Sequence, residues 1–119
     1  MKLILQPENS RFCGQACIAM ITGLSINEIL KIKGIPKGAT GIRHLKIALN
    51  NYQIKIGKVK LKEPKTKRIS LCKVRWPDNK RHWVVYENGN IYDPAFGINP
   101  KWPLGSRITS HYILNRGLK

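Results

Sequence analysis

A cysteine at the start of a helical segment is the first feature of this sequence that can do chemistry. Cys13 stands in the segment Phe12-Cys13-Gly14-Gln15, and the apolar residues after it recur at helical spacing. A thiol in the first turn of a helix faces unpaired N–H groups and the positive end of the dipole, which stabilise the nucleophilic thiolate. Gly14 allows a substrate or another backbone to approach closely. The alternative is that Cys13 is a small apolar residue that begins a core helix.

A histidine and an aspartate are predicted to meet across a hairpin. Asn88-Gly89 is a strong signal for a two-residue turn, which pairs Glu87 with Asn90. Continuing that register puts Asp93 opposite Val84, two residues from His82 and on the same face. A carboxylate beside an imidazole fixes the tautomer and stabilises the imidazolium, so the pair can serve as a base and its orienting group. The alternative is an edge histidine and an aspartate that serves the turn before Pro94.

Two further residues are candidates for binding the substrate or its transition state. Gln6 precedes Cys13 by seven residues, and its amide, with the Cys13 backbone N–H, is suited to stabilise an oxyanion. The alternative is that Gln6 is only a surface glutamine. Trp83 follows the histidine and either walls the site or packs in the core. Trp76 and Trp102, each followed by a proline, fit loop lids or surface packing.

The other thiols and imidazoles give no pattern that specifies a metal site. An odd count of three cysteines argues against a disulfide scaffold, and the Cys13–Cys17 spacing suits a disulfide poorly. Cys13-x₃-Cys17 with the scattered histidines His44, His82 and His111 lacks the usual spacing of a zinc site, so none is predicted. Cys17 and Cys72 are expected to pack in the core.

The elements that must position these residues fall into a helical half and a strand half. Apolar spacing predicts helices after Cys13, after a capping box at Ser25–Glu28, and over residues 42–52. From residue 54 the period changes to two. Strands are predicted over 54–61 with a bulge at Gly57-Lys58, and over 69–76, 82–86 and 90–93. The tail over 108–114 fits a last strand or a short helix, and we favour the strand. Helices followed by an antiparallel sheet predict an α+β fold, and 119 residues predict a single domain over 1–119.

Taken in order, these segments resemble the C39-like peptidases, papain-like cysteine peptidases that include the double-glycine leader peptidase domains of bacteriocin exporters. The resemblance runs over about residues 4–98. The matching segments are Gln6, then Cys13-Gly14-x-Ala16-Cys17-x-Ala19-Met20, the Gly41–Leu49 helix, His82-Trp83-Val84-Val85 and Ile91-Tyr92-Asp93-Pro94-Ala95.

The resemblance implies a papain-like fold and acyl transfer through a thioester without a metal or organic cofactor. Cys13 would be the nucleophile, His82 the general base and then acid, Asp93 the orienting group and Gln6 the oxyanion donor. Phe12 stands where an aspartate is frequent in the family, and the His82–Asp93 spacing is tighter than usual. Because of these departures, the resemblance does not specify the reaction, which stays open between cleavage after Gly-Gly, deamidation and transglutamination.

The net charge of the chain indicates which kinds of molecule it could bind. The chain has 22 Lys plus Arg against 6 Asp plus Glu, a net charge of +16, so nucleic acid, an anionic membrane surface and an acidic protein or peptide are all candidate partners. The alternative is that the charge serves solubility alone. A catalytically silent papain-like binding module and a basic nucleic-acid-associated protein are the alternatives to a peptidase, although the aromatic residues form no stacking pattern with the basic ones. No apolar run is long enough for a membrane span and the first residues turn polar at once, so a cytoplasmic location is expected.

Overall fold

In the part of the chain that the structure describes, three helices precede six strands, so the predicted α+β class is confirmed. The computed structural model describes residues 1–62, 64, 67–78 and 80–116. The sequence also predicts a turn over 64–67 and a loop over 77–80, and both lie partly outside the described residues, as does the end of the tail. The helices are α1 (Cys13–Thr22), α2 (Ile26–Leu30) and α3 (Ile42–Asn50). The strands are β1 (Ile54–Lys60), β2 (Ser70–Arg75), β3 (Arg81–Glu87), β4 (Asn90–Asp93), β5 (Gly97–Asn99) and β6 (Arg107–Arg116).

Helix α1 is buried along almost its whole length. Every residue from Gly14 to Ile21 is buried, because α1 packs against β3 and against both other helices. The helix ends at Gly23, whose left-handed φ of 82° lets its N–H bond the Ala19 carbonyl. Cys13 is therefore carried by the most enclosed helix of the described chain.

The short helix α2 begins at the predicted capping box. Ser25 Oγ accepts the Glu28 N–H at 3.1 Å, and the Glu28 carboxylate accepts the Ser25 N–H at 3.1 Å. Ile29 is the residue that α2 buries in the core.

The sheet of the described chain is antiparallel, with the order β1-β6-β2-β3-β4-β5. The tail strand is confirmed, but β6 lies between β1 and β2 rather than at an edge. The predicted bulge in β1 is confirmed by a register shift between Ile56 and Val59. Strand β5 was not predicted; it adds an edge beside β4.

The two faces of the sheet carry different cores. The helices cover one face, where Trp83, Val85 and Leu71 join the main core with α1. On the other face, a smaller cluster forms around Val84 and Ile91, and aromatic side chains from loops cover it instead of helices. Among the described residues, no helix combines the length and apolarity that crossing a bilayer requires.

Candidate active site

The β3–β4 hairpin sets the register of the site. Glu87 pairs with Asn90 and Val85 with Tyr92, as the two-residue turn predicts. Asn88 and Gly89 take φ of 49° and 86°, the positive values that this tight turn requires. Continuing the alternation places Asp93 on the face of β4 that His82 shares on β3. The predicted register is therefore confirmed.

His82 and Asp93 form a buried hydrogen-bonded pair. His82 Nε2 lies 2.8 Å from Asp93 Oδ1, and the two residues are 8% and 4% exposed. The same Oδ1 accepts backbone N–H groups from Ala95 at 2.8 Å and Phe96 at 3.3 Å. These bonds from the turn after β4 fix the carboxylate, which in turn fixes the plane of the imidazole.

His82 also acts on the Cys13 thiol. The His82 side chain and the backbone N–H groups of Trp83 and Gly14 each lower the pKa of that thiol. Since Nε2 faces Asp93, Nδ1 is the ring nitrogen left for the thiol. The helix N-cap, Phe12, supplies no side-chain cap, so the first turn of α1 keeps N–H donors for groups at the site.

The protonation equilibria of this pair favour charge separation. Burial raises the pKa of the Cys13 thiol, but the His82 hydrogen bond and charge and the two backbone N–H groups outweigh it, so the net pKa is lowered from 9.0. Burial lowers the pKa of His82, but the bonds and charges of Asp93 and Cys13 raise it to about 9. A thiolate beside an imidazolium is the state that both shifts favour.

Gln6 lies beside the turn that carries Asp93. Its backbone N–H donates to the Pro94 carbonyl at 2.9 Å, and its side-chain Nε2 donates to the Ser10 carbonyl at 2.8 Å. The buried Oε1 has no hydrogen-bond partner among the described residues. An amide nitrogen carries two hydrogens, so Nε2 retains one donor beyond the bond to Ser10.

Gly14 and Trp83 are held by packing. A Cβ on Gly14 would lie 1.9 Å from Thr40 Oγ1. Glycine is therefore needed at this position because the loop before α3 packs closely against it. The Trp83 indole is 3% exposed and donates to the Thr40 carbonyl at 3.1 Å. The indole is thus enclosed in the main core, and Trp83 reaches Cys13 through its backbone N–H.

A family model described as the Peptidase C39 family matches residues 1–100. The chain belongs to the Peptidase C39 family. No curated protein matches it significantly. The family match ends before β6, although this C39 chain inserts β6 between β1 and β2.

The other two cysteines of this C39 chain are inert by burial. Cys17 and Cys72 are both fully buried, and desolvation raises the pKa of each thiol. Cys13 is therefore the one cysteine of the three whose surroundings favour the thiolate. Among the described residues, no group of three or more His, Cys, Asp or Glu side chains is arranged to hold a metal ion.

The sequence did not predict the aromatic side chains that flank the histidine. The centroids of the Trp76 and His82 rings lie 5.5 Å apart, and the Phe96 ring contacts the Trp76 ring edge-on with their centroids 6.2 Å apart. Trp76 follows β2 and Phe96 precedes β5, so the contact depends on β5 folding back along β4. Proline after Trp76 indicated a loop, but nothing in the sequence indicated which residue that loop would contact.

Proposed function

We propose that this chain is a cysteine peptidase that hydrolyses an amide bond of a protein or peptide through a thioester acyl-enzyme. The observation that carries the proposal is the buried His82–Asp93 hydrogen bond, with the pKa of the Cys13 thiol lowered by His82 and the pKa of the imidazole raised. Membership of the Peptidase C39 family supports the same chemistry.

In the proposed acylation step, the Cys13 sulfur attacks the substrate carbonyl carbon. The imidazolium of His82 donates its proton to the departing amine as the C–N bond breaks, which leaves a thioester and neutral His82. In deacylation, His82 takes a proton from water, the hydroxide attacks the thioester, and the thiol leaves with its proton restored. Asp93 keeps the imidazole oriented and stabilises its positive charge in both steps.

The proposed oxyanion donors are the free N–H of Gln6 Nε2 and the backbone N–H of Cys13. The bond from Nε2 to Ser10 and the backbone bond to Pro94 restrict the Gln6 amide before the substrate arrives. Preorganised donors of this kind stabilise negative charge without reorganising during the reaction. Together with a nucleophile at a helix start and a histidine on a strand, they make the proposed architecture papain-like.

The proposed substrate is an acidic protein or peptide, because the chain carries a net charge of +16. Peptides with Gly-Gly before the cleaved bond are the first to try, given the family. The same acyl-enzyme supports deamidation when the leaving group is ammonia, and transamidation when an amine replaces water as the acceptor.

The proposal is tested by incubating peptides that contain Gly-Gly in acidic and in neutral contexts with wild type and Cys13→Ala. Mass spectrometry follows the products and any acyl adduct. The expected result is cleavage and a thioester adduct on Cys13 in wild type, neither in Cys13→Ala, and wild-type behaviour in the matched control Cys72→Ala. Peptide binding without cleavage or adduct would instead indicate a silent binding module. DNA binding that is lost steeply with salt, with no adduct, would favour the nucleic-acid alternative.

A further inference from the structure

An open cleft lies on the sheet face that carries His82 and Asp93. It has a volume of about 550 Å³ and is lined mainly by apolar side chains, with Ile91 of β4 among them. We call it the apolar cleft and define it by Trp76, Pro77, Ile91, Asp93, Phe96 and Pro103. Its size lies within the range of sites that enclose small ligands or side chains.

The apolar cleft adjoins the proposed catalytic imidazole. Two of its lining residues contact His82 directly: Asp93 by the 2.8 Å hydrogen bond and Trp76 by the ring contact at 5.5 Å. The same His82 side chain lowers the pKa of the Cys13 thiol. A peptide that extended from the Cys13 sulfur past the imidazole would therefore come beside Trp76 and the cleft.

The chemistry of His82 identifies which half of a substrate extends that way. The imidazolium must protonate the nitrogen of the departing amine, so the chain after the cleaved bond lies over His82. An extended peptide advances about 3.3 Å per residue. The first or second residue after the cleaved bond therefore comes level with the Trp76 ring, which lies next to His82.

The lining indicates the class of side chain that fits. Phe96 is 80% exposed, so an occupant of the cleft would cover apolar surface that is now open to water. Two carboxylates also line the cleft, and both already have hydrogen-bond partners. Asp93 takes part in three hydrogen bonds, and Asp78 accepts the Lys80 N–H at 3.0 Å. The aromatic and aliphatic walls thus favour an apolar occupant.

We propose that the apolar cleft binds a branched aliphatic or aromatic side chain of the first or second residue after the cleaved bond. The inference rests on the proposed peptidase function and adds a specificity determinant to it. Phe96, Trp76 and Ile91 are the residues that would select this side chain.

An acyl-transfer experiment tests the cleft without knowledge of the natural substrate. p-Nitrophenyl acetate acylates Cys13, releasing p-nitrophenol; an added amine then attacks the acetyl thioester, giving an N-acetyl amide and the free thiol. The amine occupies the place of the departing half by microscopic reversibility. Leucinamide, phenylalaninamide and glycinamide probe the first position, and glycyl-leucinamide against glycyl-glycinamide probes the second. The rate measured with Cys13→Ala is subtracted as the uncatalysed reaction.

The expected result is that leucine or phenylalanine at one of the two positions is acylated roughly tenfold or more faster than glycine. Phe96→Ala should reduce this preference severalfold. Ile98→Ala is the matched control: Ile98 is also an exposed apolar residue, 53% exposed, but it lies on the opposite face of β5 and should leave the preference unchanged.

The two proposals fail in different ways. A burst at Cys13 with equal acylation of all five amines, or a preference that Phe96→Ala and Ile98→Ala change equally, overturns the cleft and leaves the peptidase proposal standing. A faster reaction of lysinamide than of leucinamide would also overturn it, because Asp78 would then dominate the cleft. Absence of a burst above Cys13→Ala contradicts the peptidase function, and the inference falls with it.

Discussion

At the residue scale, Asp93 has two separable properties, its acceptor geometry and its charge. Oδ1 orders the turn after β4 through the N–H groups of Ala95 and Phe96 while it faces His82. An asparagine at this position retains an acceptor oxygen but carries no negative charge. The comparison of Asp93→Asn with Asp93→Ala therefore separates orientation of the imidazole from stabilisation of the imidazolium.

We expect Asp93→Asn to lower the pKa of His82 from its raised value of about 9, since a neutral amide favours the imidazolium less than a carboxylate does. The alkaline limb of the activity profile, where His82 loses the proton that the leaving amine needs, should move to lower pH. NMR titration of the His82 ring measures the shift directly. Asp93→Ala should lose on the order of 10²–10⁴-fold in kcat/KM. An unchanged His82 titration in Asp93→Asn would show that the charge of Asp93 does not act on the imidazole.

At the element scale, α1 is fixed to the loop that precedes α3. Gln15 is fully buried, and its Nε2 donates to the carbonyls of Pro36 and Gly38, both at 2.8 Å. Thr40 from the same loop packs directly on Gly14 and accepts the Trp83 indole N–H. The start of α1 is thereby connected to β3, which keeps Cys13 beside His82.

We predict that Gly14→Ala destabilises the fold by about 1–3 kcal/mol, because the new Cβ meets Thr40 Oγ1 at 1.9 Å and the loop must move. Urea denaturation measures the change. Gly38→Ala is the matched control in the same loop, since a Cβ there meets nothing within 4 Å. Equal stability of the two variants would contradict the fixed contact between α1 and this loop.

At the scale of the whole molecule, charge is the dominant surface property. A net charge of +16 on 119 residues creates a positive potential that attracts anions from beyond contact distance. Such a field raises the rate at which an acidic substrate arrives at the site.

We expect kcat/KM for an acidic peptide to fall as salt increases, while that for a neutral peptide of the same length stays nearly constant. The Debye length shortens from about 30 Å at 0.01 M to about 10 Å at 0.1 M, so distant lysines stop contributing. The ratio of the two kcat/KM values over this salt range is the measurement. A ratio that salt does not change would remove the electrostatic argument for acidic substrates.

Local signals predicted the parts of the fold that depend on near neighbours. The Asn88-Gly89 turn specified the register that joins His82 to Asp93, and the Ser25–Glu28 pair specified the start of α2. The position of β6 between β1 and β2 follows from pairing across about 32 residues of chain or more, for which the sequence carries no short signal.

Side-chain surroundings were harder to predict than backbone elements. Alternation along β3 places Trp83 on the face opposite His82, but only the packing of α1 on that face decides that the indole is enclosed. The Trp76–His82 contact likewise needs the ends of two strands to meet. The catalytic roles of Cys13, His82, Asp93 and Gln6 stay predictions, as does the assignment of 1–119 to a single domain.

The rate of Cys13 alkylation by iodoacetamide as a function of pH tests the central claim, a thiolate held by the His82 imidazolium, most directly. Mass spectrometry separates Cys13 from the buried Cys17 and Cys72. In wild type, the rate should rise through a pKa below the ordinary value of 9.0. His82→Ala should raise that pKa to 9.0 or above, because burial remains and the opposing charge is lost.

Arg81→Ala is the matched control, since it removes an exposed positive charge from the same strand and leaves the imidazole in place. At pH 7 we predict that wild type and Arg81→Ala react about tenfold or more faster than His82→Ala. If Cys13 of wild type instead titrates at or above 9.0, and His82→Ala follows the same curve, the thiolate–imidazolium pair does not exist and the proposed mechanism is wrong.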